Sequence, residues 1–207
     1  SNVRGHTSNG AIAPHCDSSD VVGLLCINAA RAGGESQVAS AIMVFNLMLR
    51  ERPELAPVLA RGFNINLAGK GPTGQLEECT RHRVPIFSFF DGTLSCRYNE
   101  KQIRDAQSIL GLPLSDLEDE AISYVGEAAS RDGVRFDMEF HSGDIQLLNN
   151  HGVLHARGAF RDSSDQDGRL LLRMWLNTPG SRALAPNFAD RLNSGPRGEV
   201  TVLEQTS

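Results

Sequence analysis

The chain has 207 residues, of which 40% are hydrophobic and 22% are charged, and its formal net charge is −5. These values predict a single globular domain over residues 1–207 with a substantial core. The mild acidity argues against nucleic acid as a partner, and the lack of a basic run argues against binding to a membrane surface. No apolar stretch approaches the ~20 residues that span a bilayer.

Strands are predicted early in the chain. Residues 21–30 are rich in Val, Leu and Ile, which is the pattern of a buried strand. Gly33-Gly34 marks a turn, after which residues 35–40 are predicted to return as a second strand. A helix capped by a serine follows over residues 41–50, and the proline that ends it opens a further short helix to residue 60.

The middle of the chain combines a hairpin with two helices. Residues 84–89 and 93–98 flank Asp91-Gly92, a dipeptide that favours a two-residue hairpin turn. One helix is predicted between an asparagine cap at residue 99 and a glycine stop at residue 111. The next begins with a capping box at Ser115 and runs to about residue 131.

Strands resume towards the C-terminus. Apolar and polar residues alternate with period two over 134–140, and residues 145–149 and 169–176 complete the set. From residue 178 onwards Pro, Gly, Asn and Ser predominate, which predicts an extended tail over the surface. Many short strands with helices inserted as one block predict an α+β, mainly β domain built on a sandwich or barrel.

The four cysteines show no CxxC motif and no regular spacing. A disulfide framework is therefore not expected, and the sequence predicts a reducing, cytoplasmic setting. The first residues show no charged segment followed by an apolar one, so no signal peptide is predicted.

The segment His15-Cys16-Asp17 contains two candidate metal ligands. In an extended strand, residues i and i+2 point to the same face about 7 Å apart, so His15 and Asp17 could bind one ion while Cys16 faces away. The HxD pattern is common by chance, and the alternative is a surface histidine in a turn.

A third candidate ligand is His155. The alternative for any histidine of this region is a hydrogen-bonded strand residue, and that alternative is preferred for His141 and for His151, which is predicted four residues before His155 on the same strand face. Two imidazoles and one carboxylate are the ligand set of a non-haem iron(II) oxygenase, and they leave three positions of an octahedral metal open.

Arg169 and Arg173 lie in an otherwise apolar run that also contains the single tryptophan. Two arginines at i and i+4 on one strand face are costly to bury without an anion. A guanidinium can hold a carboxylate through two parallel hydrogen bonds, which makes it suitable for a dicarboxylate cosubstrate. The alternative is an edge strand with its arginines in solvent.

Taken together, these motifs resemble the taurine dioxygenase and clavaminate synthase-like superfamily of iron(II)- and 2-oxoglutarate-dependent oxygenases. The order of the matching stretches along nearly the whole chain is more specific than any one of them. They are His15-Cys16-Asp17 leading into 21–26, Gly33-Gly34-Glu35-Ser36, Gly143-Asp144-Ile145, residues 149–160, residues 169–176 and Pro186-Asn187-Phe188-Ala189.

By position, the resemblance implies that His15, Asp17 and His155 bind Fe(2+). It implies that Arg169, fourteen residues after His155, and Ser36 hold the distal carboxylate of 2-oxoglutarate, and that Arg173 lies near the other carboxylate or the substrate. His151 is a further candidate for substrate binding.

The activity implied by the resemblance is O2-dependent oxidation of an unactivated C–H bond of a small molecule, with release of succinate and CO2. Hydroxylation is the expected outcome, and desaturation or cyclisation the alternatives. The implied fold is a distorted double-stranded β-helix, or jelly roll, with helical insertions. Only fourteen residues precede His15, so the usual N-terminal part of that fold is expected to be absent and the chain to be a fragment.

Two other classes of protein remain open. A cupin-like metalloenzyme with another divalent metal would explain the histidines and the carboxylate, although not Arg169 at its spacing. A non-catalytic jelly-roll binding domain would explain the short N-terminal region, although not the intact ligand set.

Overall fold

The computed structural model describes residues 9–162, 168–178 and 180–189. The strands are β1 (Ile12–His15), β2 (Val21–Asn28), β3 (Ala32–Gly33), β4 (Ser36–Ser40), β5 (Phe87–Phe90), β6 (Thr93–Cys96), β7 (Arg135–Met138), β8 (Ile145–Asn149), β9 (Val153–Arg157), β10 (Phe160–Arg161) and β11 (Leu170–Leu176). The helices are α1 (Ala41–Glu51), α2 (Ala56–Arg61), α3 (Glu100–Leu110), α4 (Asp116–Ser130) and α5 (Pro186–Ala189), with a 3-10 turn at Pro53–Leu55.

Two antiparallel sheets form the β part of the fold. One has the strand order β1-β9-β4-β7 and the other the order β11-β2-β8, and the pairs β3–β10 and β5–β6 lie beside them. Their inner faces meet, since the Ser36 hydroxyl of β4 donates to Gln146 Oε1 of β8 at 3.0 Å. The predicted mainly β architecture with one helical block is confirmed.

The helices cover the outer face of the four-stranded sheet. Helices α1 and α4 contact β4, and α4 also contacts β1. Their apolar faces form the main core together with residues of the sheet and its edges, among them Leu154 of β9 and Cys16 directly after β1, each 1% exposed. The core residues contributed by the helices and the loops around them include Val44, Met48, Leu59, Phe63, Ile86, Ile103, Ile122 and Val125.

The helix ends follow the capping residues in the sequence. The Ser40 hydroxyl accepts a hydrogen bond from the Met43 amide at the start of α1, and Ser115 and Glu118 form the predicted capping box of α4. Helix α3 begins at its Asn99 cap and ends at Gly111, whose φ of 65° is the left-handed conformation that favours glycine. The predicted helices and their bounds are thus confirmed to within a residue or two.

Two predictions of local structure are wrong. The tail predicted to be extended contains α5, where a proline occupies a first-turn position that suits it and Phe188 is fully buried. The part of that tail beyond residue 189 lies outside the described residues. His151 is not on the strand of His155; it lies in the turn before β9, because Asn150 and Gly152 end the β8 pairing and reverse the chain.

The three-stranded sheet has an apolar outer face. Along β11 and β8 every second side chain points outwards and is between 41% and 69% exposed, and these residues are Leu170, Leu172, Met174, Leu176, Ile145 and Leu147. A contiguous apolar surface of this kind is typical of a contact surface. Within the described residues, no helix combines the length and apolarity needed to cross a membrane.

Candidate metal centre

Strand pairing brings three candidate ligands together from distant parts of the chain. In the antiparallel pair β1–β9, His15 lies directly opposite His155, and the centroids of their rings are 4.3 Å apart. Asp17 follows two residues after β1. One ligand atom from each of the three side chains lies within 4.8 Å of the others.

The alternation of side chains decides which way these residues face. Cys16 and Leu154, the neighbours of His15 and His155 in sequence, point into the helical core. Because successive strand residues point to opposite faces, the two histidines face the interior between the sheets. The prediction that Cys16 faces away from the ligands is confirmed.

The backbone around Asp17 is held by Asn150, which is fully buried. Its Oδ1 accepts a hydrogen bond from the Asp17 amide at 2.9 Å, and its Nδ2 donates to the carbonyls of Asp17 and Ser19 at 2.9 and 2.6 Å. Because Asn150 lies between β8 and β9, this amide ties the loop after β1 to the chain segment that leads into His155.

The Asp17 carboxylate has a polar environment. The Trp175 indole N–H donates to Oδ2 at 2.9 Å, and Arg173 Nη1 lies 3.6 Å from the same oxygen. His155 Nε2 is 3.5 Å from Oδ2, whereas His15 Nε2 is 3.8 Å from Oδ1. Both carboxylate oxygens are therefore near an imidazole nitrogen.

The protonation states of this cluster suit a divalent metal. Burial, followed by the nearby His155, lowers the pKa of His15 to about 4. Burial would raise the pKa of Asp17, but the hydrogen bond with His155 and the charges of the histidines and Arg173 outweigh it and hold the pKa well below its usual range. At neutral pH His15 is neutral and Asp17 ionised, which are the forms in which these side chains bind metals.

Arg169 lies at the other end of the interior, half-buried and beside Phe160. Its Nη2 donates to the carbonyl of Gly34 at 3.2 Å, and the φ of Gly34 is 80°, a left-handed conformation that favours glycine. Burial lowers the pKa of Arg169, yet an arginine keeps its charge. A cavity of about 100 Å³ adjoins this guanidinium and is lined by residues 29–35, Glu139 and Phe140.

Ser36 follows Gly34 by two residues and is 5% exposed, and its hydroxyl is bonded to Gln146. Ser36 thus lies two residues along the chain from Gly34, whose carbonyl accepts from Arg169. Arg173, on the inner face of β11, approaches Asp17 instead.

The two other histidines considered as candidates, His141 and His151, lie outside this cluster. His141 is exposed in a turn, 3.6 Å from Asp144. His151 is 1% exposed, its Nε2 lies 3.0 Å from Asp20 Oδ1, and its ring packs against Phe188. Because His151 is enclosed in this way, its geometry gives no support to the predicted role in substrate binding.

Sequence reasoning missed three residues of the site: Asn150, Trp175 and Gln146. Two of them left a signal. Gln146 is a polar residue between the apolar Ile145 and Leu147 of β8, and Trp175 shares the inner face of β11 with Arg173 at a spacing of two. Asn150 gave none, because an asparagine in a turn is ordinary.

The sequence matches the family described as taurine catabolism dioxygenase TauD, TfdA family over residues 1–175, and the chain belongs to that family. FR-33289 synthase from Streptomyces rubellomurinus is 35% identical over 184 residues, which are 87% of this chain and 53% of that protein. Taurine hydroxylase-like protein SAT17 from Stachybotrys chartarum is 30% identical over 177 residues, which are 82% of this chain and 43% of that protein. The chain thus spans about half the length of these curated relatives.

Among solved structures, an asparagine oxygenase in complex with Fe(II), 2S,3S-3-hydroxyasparagine and succinate has a similar fold. The TM-score is 0.67 at 16% sequence identity, and the match covers 84% of this chain and 52% of that one. This likeness confirms the predicted jelly-roll fold of the iron- and 2-oxoglutarate-dependent oxygenases.

Replacing Asn150 should destabilise the fold. Asn150→Ala removes three buried hydrogen bonds and leaves their backbone partners unsatisfied, so we expect a loss of about 3 kcal/mol in the free energy of unfolding. Asn149→Ala, at an exposed neighbouring position, should change it by less than about 0.5 kcal/mol. Urea denaturation of both variants measures this, and equal effects would contradict the assigned role.

The buried pair of His151 and Asp20 should make the fold sensitive to acid. Burial first, and the charge of Arg97 second, lower the pKa of His151 to about 4, although Asp20 opposes the shift. The unfolded chain therefore takes up this proton first as pH falls from 6.5 towards 4, and the folded state loses about 3 kcal/mol of stability over that window. His151→Gln should flatten the stability–pH curve there, whereas His141→Gln should leave its slope unchanged.

Proposed function

We propose that this chain carries the active site of an iron(II)- and 2-oxoglutarate-dependent dioxygenase that oxidises a C–H bond of a small molecule, with hydroxylation as the principal outcome. The observation that carries the proposal is the meeting of His15, Asp17 and His155 in the interior, with a charged guanidinium beside a cavity further along it. Family membership supports the reaction class.

In this proposal His15, Asp17 and His155 are the ligands of Fe(2+). Two imidazole nitrogens and one carboxylate would leave coordination positions of Fe(2+) open for the cosubstrate and dioxygen. Bound iron would supply the activation of O2 that couples decarboxylation of 2-oxoglutarate to oxidation of the substrate. The protein contributes the fixed geometry of the ligands, which Asn150 and the β1–β9 pairing maintain.

Arg169 and Ser36 are proposed to hold the distal carboxylate of 2-oxoglutarate. A half-buried guanidinium beside a small cavity favours an anion, because its charge is costly to bury unpaired. The Ser36 hydroxyl can donate to that carboxylate once it releases Gln146, and the Gln146 amide would then be a further donor in the same place.

Arg173 is proposed to serve either the proximal carboxylate of the cosubstrate or an anionic group of the substrate. It lies between the metal ligands and the solvent, and its side chain is 36% exposed. Its positive charge also keeps Asp17 ionised, which is the form needed for binding a metal.

The relatives support a small-molecule substrate. The complex of the structurally similar asparagine oxygenase contains a hydroxylated amino acid together with succinate, the product expected from 2-oxoglutarate.

The four cysteines, all present as thiols, support the predicted reducing, cytoplasmic compartment.

Histidine variants test the metal ligands. His155→Ala removes one ligand and should lower the affinity for Fe(II) by at least about 100-fold, whereas His141→Ala, in an exposed turn, should bind iron as the wild type does. Anaerobic titration calorimetry measures both affinities. Iron binding that survives His155→Ala would exclude this ligand set.

Arg169 variants test the cosubstrate site. Without the guanidinium, Arg169→Ala should raise the KM for 2-oxoglutarate by at least about 10-fold with little change in metal affinity, because one charge-assisted pair is lost. Arg161→Ala, at an exposed position in β10, is the matched control. The readout is succinate release, together with the change in the iron spectrum on adding 2-oxoglutarate. A cupin-like enzyme would show neither signal in the wild type.

A further inference from the structure

The Trp175 side chain donates a hydrogen bond to the proposed metal carboxylate. Its indole nitrogen is 2.9 Å from Asp17 Oδ2, which is a hydrogen bond, whereas Arg173 Nη1 at 3.6 Å from the same oxygen is beyond hydrogen-bond range and acts through its charge. The two side chains lie on the inner face of β11, two residues apart.

The direction of this indole N–H is fixed by its surroundings. Lys70 Nζ lies 3.8 Å from the centroid of the Trp175 ring, and the Arg173 guanidinium lies 5.1 Å from it. Cations near an aromatic face attract it. In the strand, Trp175 is in register with Val22 of β2, which is fully buried, so the backbone beneath the ring is also held in place.

The hydrogen bond distinguishes the two oxygens of the carboxylate. Each oxygen has an imidazole nitrogen nearby, His155 Nε2 at 3.5 Å from Oδ2 and His15 Nε2 at 3.8 Å from Oδ1, but Oδ2 is the one that accepts from the indole and has the Arg173 guanidinium 3.6 Å away. An N–H held on one oxygen lowers its capacity to donate to a metal. The carboxylate then offers a single oxygen, and the coordination position that a second oxygen would occupy is kept for the cosubstrate or dioxygen.

We propose that Trp175 is a positioning residue for Asp17: its indole N–H holds Oδ2, so that the carboxylate presents Oδ1 alone to the metal. This inference rests on the proposed function. It adds a residue that the metal-ligand motif does not contain, and it assigns different tasks to Asn150, which fixes the backbone of Asp17, and to Trp175, which fixes the rotation of its carboxylate.

Two variants separate the N–H from the ring. Trp175→Phe keeps an aromatic face for Lys70 and Arg173 but removes the donor. Trp175→Gln removes the ring but carries an amide nitrogen three bonds from Cβ, as the indole nitrogen is, and so can restore the donor. The affinity of each metal-free protein for Co(II) is measured anaerobically by calorimetry, with the absorption spectrum of the bound ion as a second readout.

We expect Trp175→Phe to weaken Co(II) binding by about 10- to 100-fold, the usual effect of losing a hydrogen-bond partner of a ligand, and to alter the Co(II) absorption bands as the carboxylate turns to offer both oxygens. Trp175→Gln should remain within about threefold of the wild type. Phe binding as tightly as the wild type, or Phe and Gln losing affinity equally, would overturn the inference.

A measurement on the wild type guards against variants that fail to fold. Trp175 is the only tryptophan in the chain, so its emission reports directly on this contact. Binding of Zn(II), a closed-shell ion, should shift that emission because the charge on its acceptor Asp17 is then shared with the metal, and unchanged emission at saturation would overturn the inference.

A different outcome would contradict the proposed function. A wild type that binds Co(II) but yields no succinate from Fe(II) and 2-oxoglutarate contradicts the dioxygenase, while the comparison of Phe with Gln still decides the role of Trp175. A wild type that binds no divalent ion overturns both.

Discussion

The register between β1 and β9 is the constraint on which the site depends. His15 and His155 are separated by 140 positions in sequence, and they meet because they are directly opposite in an antiparallel pair. A slip of one residue would turn the histidine face towards the helices and place Leu154 in the polar interior. The burial of Cys16 and Leu154 in the helical core opposes that slip, so the core on one side of the sheet fixes the ligands on the other.

Burial also sets the chemistry of the interior. A cluster of two imidazoles, a carboxylate and two arginines would be unfavourable in an apolar core, and each member here has a partner or a neighbouring charge. Asp17 is kept ionised by His15, His155 and Arg173, and His15 is kept neutral chiefly by desolvation. The Arg169 guanidinium donates to the backbone carbonyl of Gly34, while the Arg169 amide donates to Asp162 Oδ1.

Much of this arrangement could be predicted from the sequence. His15 and Asp17 form a short motif with strand spacing, and Arg169 follows His155 at a characteristic distance, so pattern and resemblance were sufficient for both. The helices were predictable because their caps are local: Ser40, and Ser115 with its glutamate, act within one turn. Features that depend only on residues close together in sequence, such as helix caps and short motifs, could therefore be predicted.

The rest depends on tertiary contacts. Asn150 matters because its side-chain amide is hydrogen-bonded to the backbone of Asp17, which lies 133 positions away in sequence. Nothing in the turn itself reveals this contact. Trp175 was assigned to the apolar run of β11, although its indole nitrogen reaches Asp17. The strand position of His151 was wrong because its neighbours Asn150 and Gly152 form a turn, and its burial comes from Asp20 and Phe188.

The two faces of β11 differ in polarity, and its outer face belongs to the apolar outer surface of the three-stranded sheet. Its inner residues Arg173 and Trp175 are polar at their tips and reach Asp17, whereas Leu172 and Met174 between and beside them point outwards and are 52% and 59% exposed. In sequence the strand is an apolar run interrupted by one arginine, because its outer face is apolar throughout and its inner face combines Leu171 with Arg173 and Trp175. An antiparallel sheet with one face towards solvent more often has the opposite pattern, with apolar residues inside and polar residues outside. Since the same backbone carries both faces, a contact made at Leu172 and Met174 would also act on the strand that orients Arg173 and Trp175 towards the candidate metal centre.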